Sequence, residues 1–124
     1  WQSKHSVGFK EIDGKRTEIT YSWLDGNTIE GWSEIIDDVA QGKSEYYHYN
    51  GRLNAYGNLN SSGEQEGKWV YYYNTGELAG VEYLKNGKIQ GTDTAYWQNG
   101  IIKSSDKYED GESNGLSYSF YESG

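Results

Sequence analysis

The chain contains no cysteine, no proline and no methionine. Without cysteine there is no disulfide framework and no thiolate to serve as nucleophile or metal ligand. Without proline no strand loses a backbone donor, so the whole length is open to sheet pairing. Aliphatic residues are scarce: 34% of the chain is hydrophobic, and its mean hydropathy is −0.97. No apolar run is long enough to cross a bilayer. Histidine is limited to His5 and His48, a poor basis for a zinc site. Basic charge is short as well, with 11 Lys and Arg against 19 Asp and Glu, for a net charge of −8. Such a surface repels nucleic acid and anionic lipid and attracts a basic partner. Its plainer use is to keep an edge-rich β-protein soluble. The absence of methionine even at position 1 leads to the expectation that a leader or other segment stood before Trp1.

What the chain has instead is ring and turn. Its 124 residues, enough for one domain, include 13 Tyr, 5 Trp, 2 Phe and 17 Gly. The stretch from Gly67 to Gly91 reads as two β-strands and two turns. Lys68 to Tyr73 carries Val70 and three consecutive tyrosines, residues that suit a pleated surface. Asn74-Thr75-Gly76 supplies turn chemistry, Leu78 to Leu84 forms the return strand, and Asn86-Gly87 is a strong hairpin signal. Gly67, Gly91 and Gly115 stand 24 residues apart, as do Gly76, Gly100 and Gly124, and Gly63, Gly87 and Gly111. Gly42 and Gly51 extend two of these series backwards at a spacing of 25, which places one inserted residue near Asn60-Ser61-Ser62. Three glycine series with one period indicate a repeat architecture.

The pattern G-x-W-x-x-Y-Y-x-x-G, followed by x-N-G-K-x-x-G, resembles the MORN-type repeat in its bacterial variant. Gly67-Lys68-Trp69 to Gly76 and Asn86-Gly87-Lys88 to Gly91 match it most closely. Gly91 to Gly100 keeps Tyr96, Trp97, Asn99 and Gly100 but has Asp93 where the pattern has an aromatic. Gly115 to Gly124 keeps Phe120 and Tyr121, and Gly42 to Gly51 keeps Tyr46, Tyr47, Asn50 and Gly51. In this respect the chain is similar to the YwqK family of antitoxin or immunity proteins. The resemblance implies a bacterial protein that neutralises a toxin by binding it. It leaves the compartment open between the cytoplasm and, if a leader preceded Trp1, the periplasm or cell surface.

The expected fold is all-β: a single-layer meandering antiparallel sheet of about ten strands, built from hairpin repeats of about 24 residues. One repeat domain spans 1–124. A degenerate capping repeat occupies 17–41, full repeats occupy 42–66, 67–90 and 91–114, and 115–124 is half a unit whose pattern is open to continuation. Trp1 to Ser6 reads as a frayed arm before a short strand from Val7 to Ile12. Asp13-Gly14 and Asp25-Gly26 read as turns, and Asp37-Asp38 stands where the pattern has Asn-Gly. Ile35 to Ala40 has the composition of at most one helical turn. A valine at Gly87, in a repeat turn, is expected to cost more than one at Gly80, which lies in a strand outside every series.

Strand alternation sorts the aromatics into two columns. Tyr47, Tyr72, Tyr96 and Phe120 form one; Trp23, His48, Tyr73, Trp97 and Tyr121 form the other. Stacking between adjacent strands is the structural role of such columns. A single layer cannot cover both faces, so one column is expected to be a recognition surface, since tyrosine and tryptophan are enriched at interfaces. Carboxylates gather near the turns: Asp37, Asp38, Glu64, Glu66, Glu77, Asp93, Asp106, Asp110 and Glu112. Of these, Glu64, Glu66 and Asp93 are the candidates for an acidic rim facing a cationic partner. No nucleophile elbow, phosphate-cradling loop or calcium loop is present, and His48 lacks an evident orienting partner. The expected function is non-enzymatic binding of a protein with a basic surface, without cofactor or metal. A carbohydrate-binding or cell-surface structural module using the same aromatics is the alternative.

Overall fold

The turns set the architecture. In a computed structural model, which describes residues 4–23 and 29–120 (the side chains at 4, 5 and 114–117 excepted), Asp13-Gly14, Asn86-Gly87 and Asp110-Gly111 have positive φ at both residues. That backbone matches the twist of the flanking strands and closes two-residue hairpins. Asp37 and Asp38 adopt the same conformation, at φ 52° and 64°. The segment with a possible helical turn is therefore a hairpin, because Asp tolerates the left-handed region.

The opposite edge uses a longer loop. The N–H of Gly51 donates to His48 O, that of Gly76 to Tyr73 O, and that of Gly100 to Trp97 O, each with the glycine at positive φ. Asn60 to Gly63 forms this longer loop on the edge where the other turns take two residues. The residue inserted there accounts for the spacing of 25.

These turns connect eleven strands: β1 Lys4–Ile12, β2 Lys15–Trp23, β3 Ile29–Ile36, β4 Val39–Tyr47, β5 Leu53–Leu59, β6 Gln65–Tyr72, β7 Leu78–Lys85, β8 Lys88–Ile89, β9 Gly91–Tyr96, β10 Ile102–Glu109 and β11 Glu112–Ser119. Neighbours in sequence are neighbours in space, all antiparallel, and β8 flanks β7 beside β9. The result is the expected open meander. Its count exceeds ten because Gly91, at φ 81°, divides one strand into β8 and β9. Among the described residues there is no helix. The N-terminal arm differs from expectation: pairing begins at Lys4↔Trp23 and continues through Ser6↔Tyr21, so β1 is full length.

A buried cluster centres on Trp69 on one face, while Trp32 and Val70 are buried on the other. The Trp69 side chain is 1% exposed although no second layer covers it among the described residues. Gly57 on the adjacent strand explains how. A Cβ at Gly57 would fall 2.3 Å from the indole, so the ring occupies the space that a side chain there would take. The indole Nε1 donates to Asn58 O at 3.0 Å, and the Tyr46 ring stacks on Trp69 at 6.1 Å. Ala55 and Leu84 complete the cluster, with Leu59, Tyr71 and Ile89 packed against it. Burying an aromatic of this size removes roughly 150–250 Å² from water, an upper estimate of about 4–6 kcal/mol. Gly80 has a related role. It is buried, and a Cβ there would lie 3.0 Å from Thr94 O, so a strand glycine outside the series still has a packing reason to be glycine.

Candidate functional site

The register defines two faces. Trp32, Glu45, Tyr56, Val70, Val81, Thr94, Ser105 and Tyr118 form one cross-strand row through successive pairs. Tyr47, Tyr72, Tyr96 and Phe120 each lie two positions beyond a member of that row, so alternation puts all four on its face. On this face Tyr72 stacks on Tyr56 at 6.2 Å, while Tyr118 and Phe120 are 57% and 45% exposed. Burial, followed by the neighbouring Tyr56, raises the Tyr72 hydroxyl above its ordinary pKa, so it remains a neutral donor at physiological pH.

The second column has a structural task. A ring nitrogen of His48, Nε2, lies 2.8 Å from Tyr72 O. The Tyr73 hydroxyl donates to Tyr96 O at 2.5 Å, and Trp97 Nε1 donates to Phe120 O at 3.0 Å. Three repeat-equivalent residues of different chemistry thus make the same bond, each to the carbonyl of the other column one repeat further on. A carbonyl only accepts, so His48 carries its proton on Nε2. This contact gives the histidine a structural partner.

Trp23 departs from the expected column. It makes an edge contact with Tyr21 at 5.6 Å and lines a hollow with Trp32 and Tyr47, on the Tyr72 face. The reason is the pairing Tyr21↔Trp32, which puts Tyr21 on the Tyr72 face and carries Trp23, two residues further on, with it; grouping Trp23 with Tyr73 sets this strand one residue out of step. Tyr121 and the Asp25-Gly26 turn lie outside the described residues.

This hollow, of about 290 Å³, is also lined by Phe9, Lys10 and Ile29. Trp32 at its base is 8% exposed. Its Nε1 donates to Glu45 Oε1 at 2.9 Å and to the Tyr47 hydroxyl at 2.8 Å, and that hydroxyl donates to the same carboxylate oxygen at 2.9 Å. Burial, and then the bond to Glu45, push the Tyr47 pKa up to about 12. The ammonium of Lys10 sits 5.4 Å from the centre of the Trp32 ring. Neither Lys10 nor Trp32 stands out in the sequence, because their contact runs from β1 to β3 and exists only once the strands have paired.

The candidate acids separate. Glu64 is exposed at the turn edge beside Gly87, and the Glu66 carboxylate accepts from the Asn86 N–H at 3.2 Å. Asp93 lies on the Trp69 face, paired with Asp106 and close to Glu82, whose carboxylate accepts from the Tyr71 hydroxyl at 2.5 Å. Partial burial, then Glu82, then Asp106, raise the Asp93 pKa above its ordinary value. Asp93 is therefore on the opposite face from the Tyr72 column. The Trp69 face also has a hollow of about 570 Å³, lined by Tyr46, Tyr49, Tyr71, Asn54 and Gln65, with Tyr49 75% exposed. Among the described residues no group of three or more His, Asp or Glu is placed to hold a metal ion.

Comparisons with protein-family models, curated proteins and solved structures find no match.

Proposed function

We propose that this chain is a non-enzymatic protein-binding module whose Tyr72 face docks a partner with a basic surface. The observation that carries the reading is the column Tyr47, Tyr72, Tyr96 and Phe120 on one face of an open sheet, in a chain of net charge −8. Aromatic anchors supply contact area with little loss of conformational freedom, and the acidic field draws a cationic surface towards them. Glu64 and Glu66, at the turn edge, belong to the rim of that field. The most concrete form of the reading is an immunity or antitoxin protein that neutralises a bacterial toxin; the MORN-type resemblance motivates it. The test is isolation of a stable stoichiometric complex with a basic protein encoded beside this one. A neighbouring protein that stays monodisperse and unbound in the mixture would count against the antitoxin form.

One observation favours a second reading. The hollow beside Tyr46, Tyr49 and Tyr71 combines rings with the amides of Asn54 and Gln65, a mixture suited to stacking and hydrogen-bonding a sugar. Titration with glycans, followed by tryptophan fluorescence, separates the two: saturable quenching that is lost in Tyr49→Ala would support the carbohydrate module.

A further inference from the structure

We infer that the hollow at the β1–β4 end of the Tyr72 face is an arginine-binding site, with Lys10 as its resident substitute ligand. The inference rests on the protein-binding reading above, since the arginine is taken to belong to the partner.

Three features point to a cation. The walls include the rings of Tyr21, Trp23, Trp32 and Tyr47, and an aromatic face, as Trp32 presents to Lys10, attracts positive charge through its quadrupole. The Glu45 carboxylate adds a full negative charge behind two of those rings. A cation is already in place: Lys10 lies over Trp32, on β1, the outermost described strand at that end, with its side chain exposed.

The geometry also limits the size of the occupant. Small-molecule pockets run roughly 300–1,000 Å³, and this hollow, at about 290 Å³, has room for one side chain rather than a large ligand. The triangle of Trp32, Tyr47 and Glu45 hydrogen bonds fixes two walls before anything binds, so little ordering is required on association. The high Tyr47 pKa keeps the triangle intact through the physiological range. Arginine is favoured over lysine because its planar, weakly hydrated guanidinium stacks on rings, whereas an ammonium is strongly hydrated. That difference is what allows an external arginine to displace Lys10.

The experiment uses the whole chain, labelled with nitrogen-15, titrated with N-acetyl-arginine amide and with the neutral isostere N-acetyl-citrulline amide. The readout is the indole N–H resonances of Trp23 and Trp32. The expected result is a saturable shift with the arginine compound, with a dissociation constant on the order of millimolar, and none with citrulline. Lys10→Met keeps the apolar stem and removes the competing charge, and should tighten binding about two- to fivefold. Trp23→Leu, at a half-exposed wall, should abolish the Trp32 shift. An equal response to citrulline, or affinity unchanged in Lys10→Met, would overturn the inference. Saturable binding of a neutral sugar in place of arginine would overturn it too. No protein partner enters this measurement, so a silent hollow rejects the arginine site while the Tyr72 column is judged separately by its own partner kinetics.

Discussion

At the residue scale, two kinds of glycine separate a clash from backbone strain. Gly57 is required because the Trp69 indole occupies its side-chain space, whereas Gly67 has φ 76° and nothing within 4 Å of an added Cβ. Gly57→Ala should therefore displace the core tryptophan and cost about 1–3 kcal/mol by overpacking. Gly67→Ala should cost about 1 kcal/mol of left-handed strain and leave tryptophan emission unchanged. Chemical denaturation followed by fluorescence checks both, and a red-shifted native spectrum should appear in the first variant alone. The contrast drawn from sequence between Gly87 and Gly80 becomes less clear-cut. Gly87 has a positive φ, while Gly80 meets the Thr94 carbonyl at 3.0 Å, so valine is costly at both. The φ requirement was legible because it belongs to a local turn. The packing requirement was not, because Trp69 is 12 residues from Gly57 and only the strand pairing brings them together.

Asp93 carries a prediction at the same scale. Its folded-state pKa is raised, so its contribution favours folding when protonated and is lost as pH rises through that pKa. Asp93→Asn should raise the thermal midpoint at pH 7, and the gain should close below about pH 4, where unfolded aspartate is itself protonated. A gain independent of pH would show that charge is not its source.

At the element scale, the repeats are joined by more than their strand ladders. The bonds from His48, Tyr73 and Trp97 to the carbonyl ahead lie along one edge of the sheet. Asn50 Nδ2 adds a bond to Asn74 O at 2.8 Å, and Arg52 adds one to Thr75 O at 2.6 Å. Tyr73→Phe removes one such link while keeping the ring, and should cost about 1 kcal/mol. Hydrogen exchange should show faster opening around the Trp97 loop than around the Asn86-Gly87 turn; uniform acceleration across the sheet would argue against a local link. Hairpins, period and the inserted residue near Asn60 were all legible, since turn chemistry is written in adjacent residues. The face of Trp23 was not, because it is set by the pairing of Tyr21 with Trp32 across β2 and β3, which no local pattern records.

At the scale of the whole molecule, one open layer must provide both its own stability and a recognition surface. The Trp69 face holds the tryptophan-centred cluster, and the Tyr72 face carries the aromatic column and the hollow beneath Lys10. The most direct test of the central claim is binding kinetics against the co-purified partner at low and high ionic strength. Tyr72→Ala should weaken the complex about tenfold or more, mainly through faster dissociation, because a buried anchor is lost. Glu64→Gln with Glu66→Gln should slow association at low salt and have little effect at high salt, where exposed charges are screened. Tyr49→Ala, an exposed ring lining the hollow on the Trp69 face, should leave both rates unchanged. Affinity insensitive to salt and to Tyr72→Ala but reduced by Tyr49→Ala would contradict the account and place the interface on the Trp69 face.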